Sequence, residues 1–226
     1  MRLQENRQNP FGLFGRQRWI LRVYRVELPD RDVPALLRCT ETRMPEDDFY
    51  ERIKPRLHKR IGRELRLARH VLDFGCGSCD LVRYLVETCR QEVTGVDVVS
   101  DGFPKRRRSC EGMRFRCLRR DATRLPFAAD GSADAVVTMW ALHEMKRPRA
   151  ILAETRRVLR PGGELLVVDF PKDSLAQRLW DEDYYRPDDV KHLLEETGFS
   201  DIRVRLIEQG QVVWARAYQP MAKTIQ

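Results

Sequence analysis

Val71-Leu72-Asp73-Phe74-Gly75-Cys76-Gly77-Ser78-Cys79-Asp80 joins a short apolar run to a loop with two glycines, and its reading decides the fold. The run has the length and side chains of a strand buried on both faces. The two glycines let the backbone turn sharply and lie close against a bound ligand. Beyond the loop, Leu81, Val82, Leu85 and Cys89 share one helical face, so the unit reads as strand, loop, helix.

Further strands are expected at Glu92 to Val96, Met113 to Cys117, Ala133 to Thr138 and Glu164 to Asp169. The last of these follows an expected turn at Arg160-Pro161-Gly162-Gly163. Strands alternating with helices imply parallel pairing through crossover helices. Upstream, Phe49, Ile53, Leu57, Ile61 and Leu65 return every four residues along one helical face, with Pro55 expected to start or kink a turn. Downstream, Pro187 with Asp188 and Asp189 opens a helix that closes near Gly198, because proline lacks a donor the first turn does not need and acids suit the positive dipole end. Ile202, Val204 and Leu206 then alternate as a strand, which Glu208-Gln209-Gly210 joins to a last strand from Val212 to Tyr218. The expected fold is α/β: a Rossmann-like, doubly wound, mostly parallel seven-stranded sheet with an antiparallel last strand and an N-terminal cap.

At 226 residues the chain has room for one main domain and a short appendage. Residues 1–45 are basic and irregular, broken by Pro10, Pro29 and Pro34, with one strand-like stretch from Trp19 to Leu28. They read as an extension or cap, and residues 46–226 as the domain. The first 26 residues carry Glu5 as their single acid, but Asn9-Pro10-Phe11-Gly12 and the lack of a continuous apolar core argue against a targeting peptide.

Apolar residues make up 42% and charged residues 34%, as in a folded, water-soluble protein. No apolar stretch approaches the roughly 20 residues that span a bilayer, so membrane insertion is not expected; the cysteine usage points instead to a reducing cytoplasm as the expected compartment. The six cysteines, Cys39, Cys76, Cys79, Cys89, Cys110 and Cys117, suggest no disulfide framework in a domain of this size. Cys76 and Cys79 have the spacing of a zinc pair, but no second such pair or nearby pair of histidines completes it, and no metal is expected. The net charge of +8 and the basic run Lys105-Arg106-Arg107-Arg108 would attract an anionic partner, nucleic acid included, although no aromatic residues interleave with the run to stack on bases. Nothing in the sequence bears on oligomeric state.

Asp97 closes the strand after the loop, where a carboxylate in such folds accepts hydrogen bonds from a ribose diol. Asp121 follows the third strand, where it could accept a hydrogen bond from an adenine amino group. Both acids fall at the carboxyl ends of successive strands, where open α/β sheets bind ligands. A nicotinamide dinucleotide would require Gly or Ala at position 80, where Asp80 stands and would repel a pyrophosphate.

Val71 to Gly77 resembles the first motif of the class I S-adenosylmethionine-dependent methyltransferases, and Gly95-Val96-Asp97 resembles their second. Asp121-Ala122 with Leu125-Pro126-Phe127, Ala133-Asp134-Ala135-Val136-Val137 and Leu159-Arg160-Pro161-Gly162-Gly163 are similar to the later motifs, in order and spacing. The resemblance covers roughly residues 46 to 218 and is strongest to the small-molecule branch typified by quinone-biosynthesis C-methyltransferases. It implies S-adenosylmethionine as cofactor. Gly75, Cys76 and Gly77 would line its methionine part, Asp73 its amino group, Asp97 the ribose, and Asp121 with Ala122 the adenine; Val98 and Thr138 complete the implied set. Cys79 departs from the family, which usually has a third glycine there.

Methyl transfer from an activated sulfonium needs the acceptor atom held in line while water is excluded. A phenol, enol or acidic carbon must also lose a proton, and His143 is the candidate base because its ordinary pKa lies near neutrality. In similar enzymes the segment Thr138-Met139-Trp140-Ala141-Leu142-His143-Glu144 faces the acceptor, which makes Trp140 and Glu144 candidate lining residues; Tyr50, Tyr184 and Tyr185 flank the core as candidate lid residues. The Asn-Pro-Pro-Tyr type of signature for base amines is absent. Exocyclic base amines are thus poor acceptor candidates, and the resemblance to the small-molecule branch implies a small-molecule acceptor, the alternatives being an RNA or protein acceptor reached through the basic extension, or a catalytically silent cofactor-binding partner subunit.

Overall fold

The computed structural model describes residues 48–104 and 115–221, all within a compact unit spanning Arg43–Gln226. The expected N-terminal cap, its strand-like stretch and the Lys105 to Arg108 run lie outside the described residues. In chain order the elements are α1 (Phe49–Glu64), β1 (His70–Phe74), α2 (Asp80–Cys89), β2 (Glu92–Asp97), β3 (Phe115–Arg119), β4 (Ala133–Met139), a single 3-10 turn (Leu142–Glu144), α3 (Pro148–Val158), β5 (Leu159–Asp169), α4 (Leu175–Trp180), α5 (Pro187–Glu196), β6 (Ser200–Ile207) and β7 (Val212–Tyr218).

The strands form one seven-stranded sheet in the order β3-β2-β1-β4-β5-β7-β6. β1 to β5 pair in parallel and β7 is antiparallel to both β5 and β6. From β1 the chain works outward through β2 to β3, then returns to place β4 on the other side of β1. That reversal opens a crevice at the carboxyl ends of β1 and β4, the usual ligand site of such sheets.

The centre of the sheet is buried on both faces, and the alternation along its strands sorts their side chains. Val71, Val137, Leu166, Val168 and Trp214 join the cluster under α1, α2 and α4. Leu72, Val136, Leu165, Val167 and Val213 join the opposite cluster under α3 and α5. Each such side chain contributes about 1.5–3 kcal/mol by leaving water. The face of α1 expected from its period is the buried one, carrying Tyr50, Ile53, Leu57 and Ile61, and Pro55 is accommodated inside the helix. No described helix is long and apolar enough to cross a membrane.

Two expectations need correction. The segment Arg160 to Gly163 is no separate turn, because β5 begins at Leu159, which pairs with Ala133 before Glu164 pairs with Ala135. The intervening residues bulge out of the ladder, helped by Gly162 at φ +72°. Leu206 does not continue the inward alternation of Ile202 and Val204; it is 48% exposed on the edge strand.

Gly95 in β2 fixes a close approach. A Cβ there would meet Sγ of Cys76 at 2.8 Å and a Val82 methyl at 2.9 Å. Gly95→Ala is therefore expected to destabilise the fold by about 1–3 kcal/mol, as overpacking does. A urea melt with an unchanged midpoint would show that the loop yields freely.

Candidate active site

The loop after β1 is built on backbone torsions that suit glycine. Gly75 and Gly77 have φ of +72° and +49°, and Cys79 follows at +61°. The family's usual glycine at position 79 is explained by that last value, a left-handed conformation that costs a side-chain-bearing residue about 1–2 kcal/mol. The amides of Gly75 and Cys76 donate to the Val96 carbonyl at 2.8 and 3.2 Å, which fastens the loop to the end of β2.

Asp97 then organises the loop. Its Oδ2 accepts from the Gly77 amide at 2.8 Å and its Oδ1 from the Val99 amide at 3.0 Å. Each carboxylate oxygen has a second lone pair, so the group retains capacity for a ligand's hydroxyls. Asp80 opens α2 in a salt bridge with Lys54 at 2.9 Å. Burial pushes its carboxyl up, but the bonds from Lys54 and Ser78 outweigh that and hold it below its usual range.

Asp121 stands just beyond the end of β3, next to Arg120, whose amide donates to the Asp97 carbonyl at 2.8 Å. Its own oxygens are engaged by the Thr123 amide at 2.9 Å and by Arg147 at 2.8 Å. The Thr123 amide is the main cause of its lowered pKa. Ala122 is buried and Val98 is 51% exposed just past β2. Asp73 is buried in β1, and Thr138 of β4 holds a buried hydroxyl that has no hydrogen-bond partner among the described residues. Open glycine torsions, a carboxylate at the end of β2 and an unsatisfied hydroxyl beside the switch point fit a nucleoside with a polar tail.

Past the ends of β4 and β5, aromatic rings close around Phe170. Trp140 stacks on it at 5.1 Å between centroids, while Tyr50, Trp180 and Tyr184 meet its ring at 4.7, 5.0 and 5.5 Å. Trp140 has φ +57°, and its buried indole N–H has no partner among the described residues. Strained torsions of this kind concentrate at functional sites. Tyr50 and Tyr184 belong to this group, whereas Tyr185 packs against the core on the opposite face of the sheet.

His143 sits in the 3-10 turn against this cluster. Its Nδ1 lies 2.8 Å from Oδ1 of Asp169, and its amide donates to Oδ2 of the same residue at 3.0 Å. Its Nε2 lies 3.3 Å from Glu182 and 3.8 Å from Glu144. Burial alone would lower the imidazole pKa, but the bonds to Asp169 and Glu182, with the charges of Asp169 and Glu144, push it up to about 9. At neutral pH the ring is an imidazolium between carboxylates. Burial, with the neighbouring Glu182 charge, raises the Tyr184 hydroxyl.

Sequence reasoning missed Asp169, Phe170, Trp180 and Glu182. Asp169 ends its strand as Asp97 does, so a signal existed; the other three lie in stretches without a period. The absence of a disulfide is also corrected, since Cys79 is bonded to Cys117. The cause is the β2–β3 register, which sets Cys117 beside Gly95 and so under the loop.

Residues 72–167 match a family model described as a methyltransferase domain. Over 104 residues the chain is 40% identical to the fatty-acid O-methyltransferase of Mycolicibacterium smegmatis, covering 45% of this chain and 37% of that protein. Over 106 residues it is 37% identical to the demethylmenaquinone methyltransferase of Thermus thermophilus, covering 46% and 48%. The chain thus spans less than half the length of either of these curated relatives. Among solved structures, a SAM dependent methyltransferase from Archaeoglobus fulgidus is similar with a TM-score of 0.60 at 18% identity, over 75% of this chain and 97% of that one. Human N-acetylserotonin methyltransferase in complex with SAM is similar with a TM-score of 0.57 at 18% identity, over 78% and 57%.

Proposed function

With residues 72–167 forming a methyltransferase domain of the class I S-adenosylmethionine-dependent kind, we propose that the chain transfers a methyl group to a small-molecule acceptor with an ionisable O–H or C–H. The observation that carries this reading is the glycine loop tied to Asp97 at the sheet's switch point. The bound cofactor supplies an electrophilic methyl carbon on a sulfonium centre.

The chain's own residues bind, orient and manage a proton. Gly75, Cys76 and Gly77 leave room for the methionine part, and Asp73 orients its amino end. Asp97 accepts from the ribose with Val98 alongside, Asp121 and Ala122 border the adenine, and Thr138 offers its spare hydroxyl. Trp140 and the rings around Phe170 present an apolar wall that excludes water and suits an aromatic or aliphatic acceptor. Asp169 fixes the His143 ring, as a buried carboxylate does for a catalytic imidazole. Glu182 lies 3.3 Å from Nε2 of His143, and the pair takes up the acceptor's proton once the imidazolium has released its own.

The relatives named above support a small acceptor, one acting on a fatty acid and one on a demethylmenaquinone, as their names state. The test incubates the full chain and methyl-labelled S-adenosylmethionine with small-molecule, RNA and protein fractions of the source cell. Label is expected in the small-molecule fraction. Label confined to RNA or protein would overturn the acceptor class, and cofactor binding without label anywhere would favour a silent partner subunit.

A further inference from the structure

Three sulfur atoms meet beneath the cofactor loop. Cys76 and Cys79 belong to the loop, and Cys117 reaches them from β3 because it is paired in register with Gly95. The missing side chain of Gly95 leaves the space that Cys76 Sγ fills. The three Sγ atoms lie within 4.8 Å of one another. Cys79 is fully buried, Cys76 nearly so, and Cys117 half-buried. The group belongs to the apolar cluster that also holds Val71, Val82 and Val93. Such a setting disfavours a bare thiolate but accepts one whose charge a cation neutralises.

Two distances point to a cation. Cys76 and Cys79 Sγ are 3.7 Å apart. Tetrahedral zinc with Zn–S of about 2.3 Å sets its sulfurs about 3.8 Å apart, close to the spacing this pair already has in the disulfide-bonded chain. The Cα atoms of Cys79 and Cys117 are 6.9 Å apart, just beyond the roughly 4.4–6.8 Å that disulfides usually span. Once that bond is reduced, the backbone leaves the two sulfurs room to part around an ion. The two-residue spacing of Cys76 and Cys79 is also that of thiolate zinc sites, and the Cys79 amide closes the turn on the Cys76 carbonyl at 2.8 Å.

We propose that the reduced chain binds one thiophilic cation, Zn²⁺ in the first instance, through the thiolates of Cys76, Cys79 and Cys117, with water at the fourth position. A dithiol reductant gives two electrons and two protons to the Cys79–Cys117 bond, leaves two thiols and itself closes to a disulfide. Metal binding then releases up to three protons from the thiols. Disulfide and metal exclude each other. Because Cys76 and Cys79 bracket Gly77, whose amide bonds to Asp97, the ion tethers the loop from behind. The site stands whether or not the chain transfers methyl groups.

The test uses the full chain, reduced with dithiothreitol and desalted without oxygen. Cd²⁺ is expected to raise a thiolate-to-metal charge-transfer band that saturates at one equivalent, and a chromophoric chelator is expected to yield one equivalent of Zn²⁺ to the protein. The variant C39S/C89S/C110S keeps these three cysteines alone and is expected to retain both signals. Cys76→Ser and Cys117→Ser are expected to weaken binding by more than about a hundredfold, since even the outer partners of a metal ligand carry that much. The oxidised chain is expected to bind no cation. The proposal is overturned if the reduced chain shows no band, or if the band disappears in C39S/C89S/C110S. That triple variant decides the matter even where a substitution in the trio prevents folding.

Discussion

Asp97→Ala is expected to weaken S-adenosylmethionine binding by at least about a hundredfold while leaving the protein folded. Two hydrogen bonds from a ribose diol to a carboxylate contribute about 1.5–3 kcal/mol each, and the substitution removes both. It also strips the acceptors from the Gly77 and Val99 amides, so the loop loses its fixed shape as well as its ligand contact. Asp97→Asn retains one acceptor oxygen and is expected to fall between the two. Isothermal titration of the three proteins measures this directly. An unchanged Kd in Asp97→Ala would mean that the cofactor lies elsewhere.

His143→Gln is expected to lower turnover by about a hundredfold or more, the usual scale of a lost proton-transfer group, with little change in cofactor affinity. In the native protein the imidazolium is held between Asp169 and Glu182 with its pKa near 9, so the wild-type rate should climb with pH toward that value, and the variant should lack the climb. Stability should run the other way. The folded pKa lies above the ordinary 6.5, so the imidazolium's contribution, about 3 kcal/mol on that shift, is fully present below pH 6.5. It is lost as pH rises through 9. Urea melts across this window should show the wild type losing stability that His143→Gln, without a titrating ring, does not lose. Equal turnover in the two proteins would remove His143 from the chemistry; parallel stability curves would remove the ion pairs.

Much of this fold is legible from its residues, for a physical reason. β1, β4 and β7 are largely buried on both faces, so their runs are mostly apolar, and the glycines at 75 and 77 mark left-handed torsions that few other residues adopt readily. The start of β5 was harder because Pro161, Gly162 and Gly163 look like a turn, yet the ladder with β4 resumes across a bulge. Site residues divide in the same way. Asp97 follows from its place at a strand end. The Asp169–His143 pair depends on how the turn after β4 returns toward the end of β5, and the meeting of Cys79 with Cys117 depends on strand register across 38 residues of sequence. Asp121 shows the opposite limit, since its position was legible but its bond to Arg147 was not.

The central claim is that one adenosyl ligand lies over the carboxyl ends of β1 and β2. A crystal structure of the full chain with S-adenosylhomocysteine tests it most directly. The ribose hydroxyls are expected on the Asp97 carboxylate, with the amino acid tail passing Gly75 and Gly77. A ligand seated away from Asp97, or a loop that keeps the same shape with the ligand bound at another surface, would contradict it.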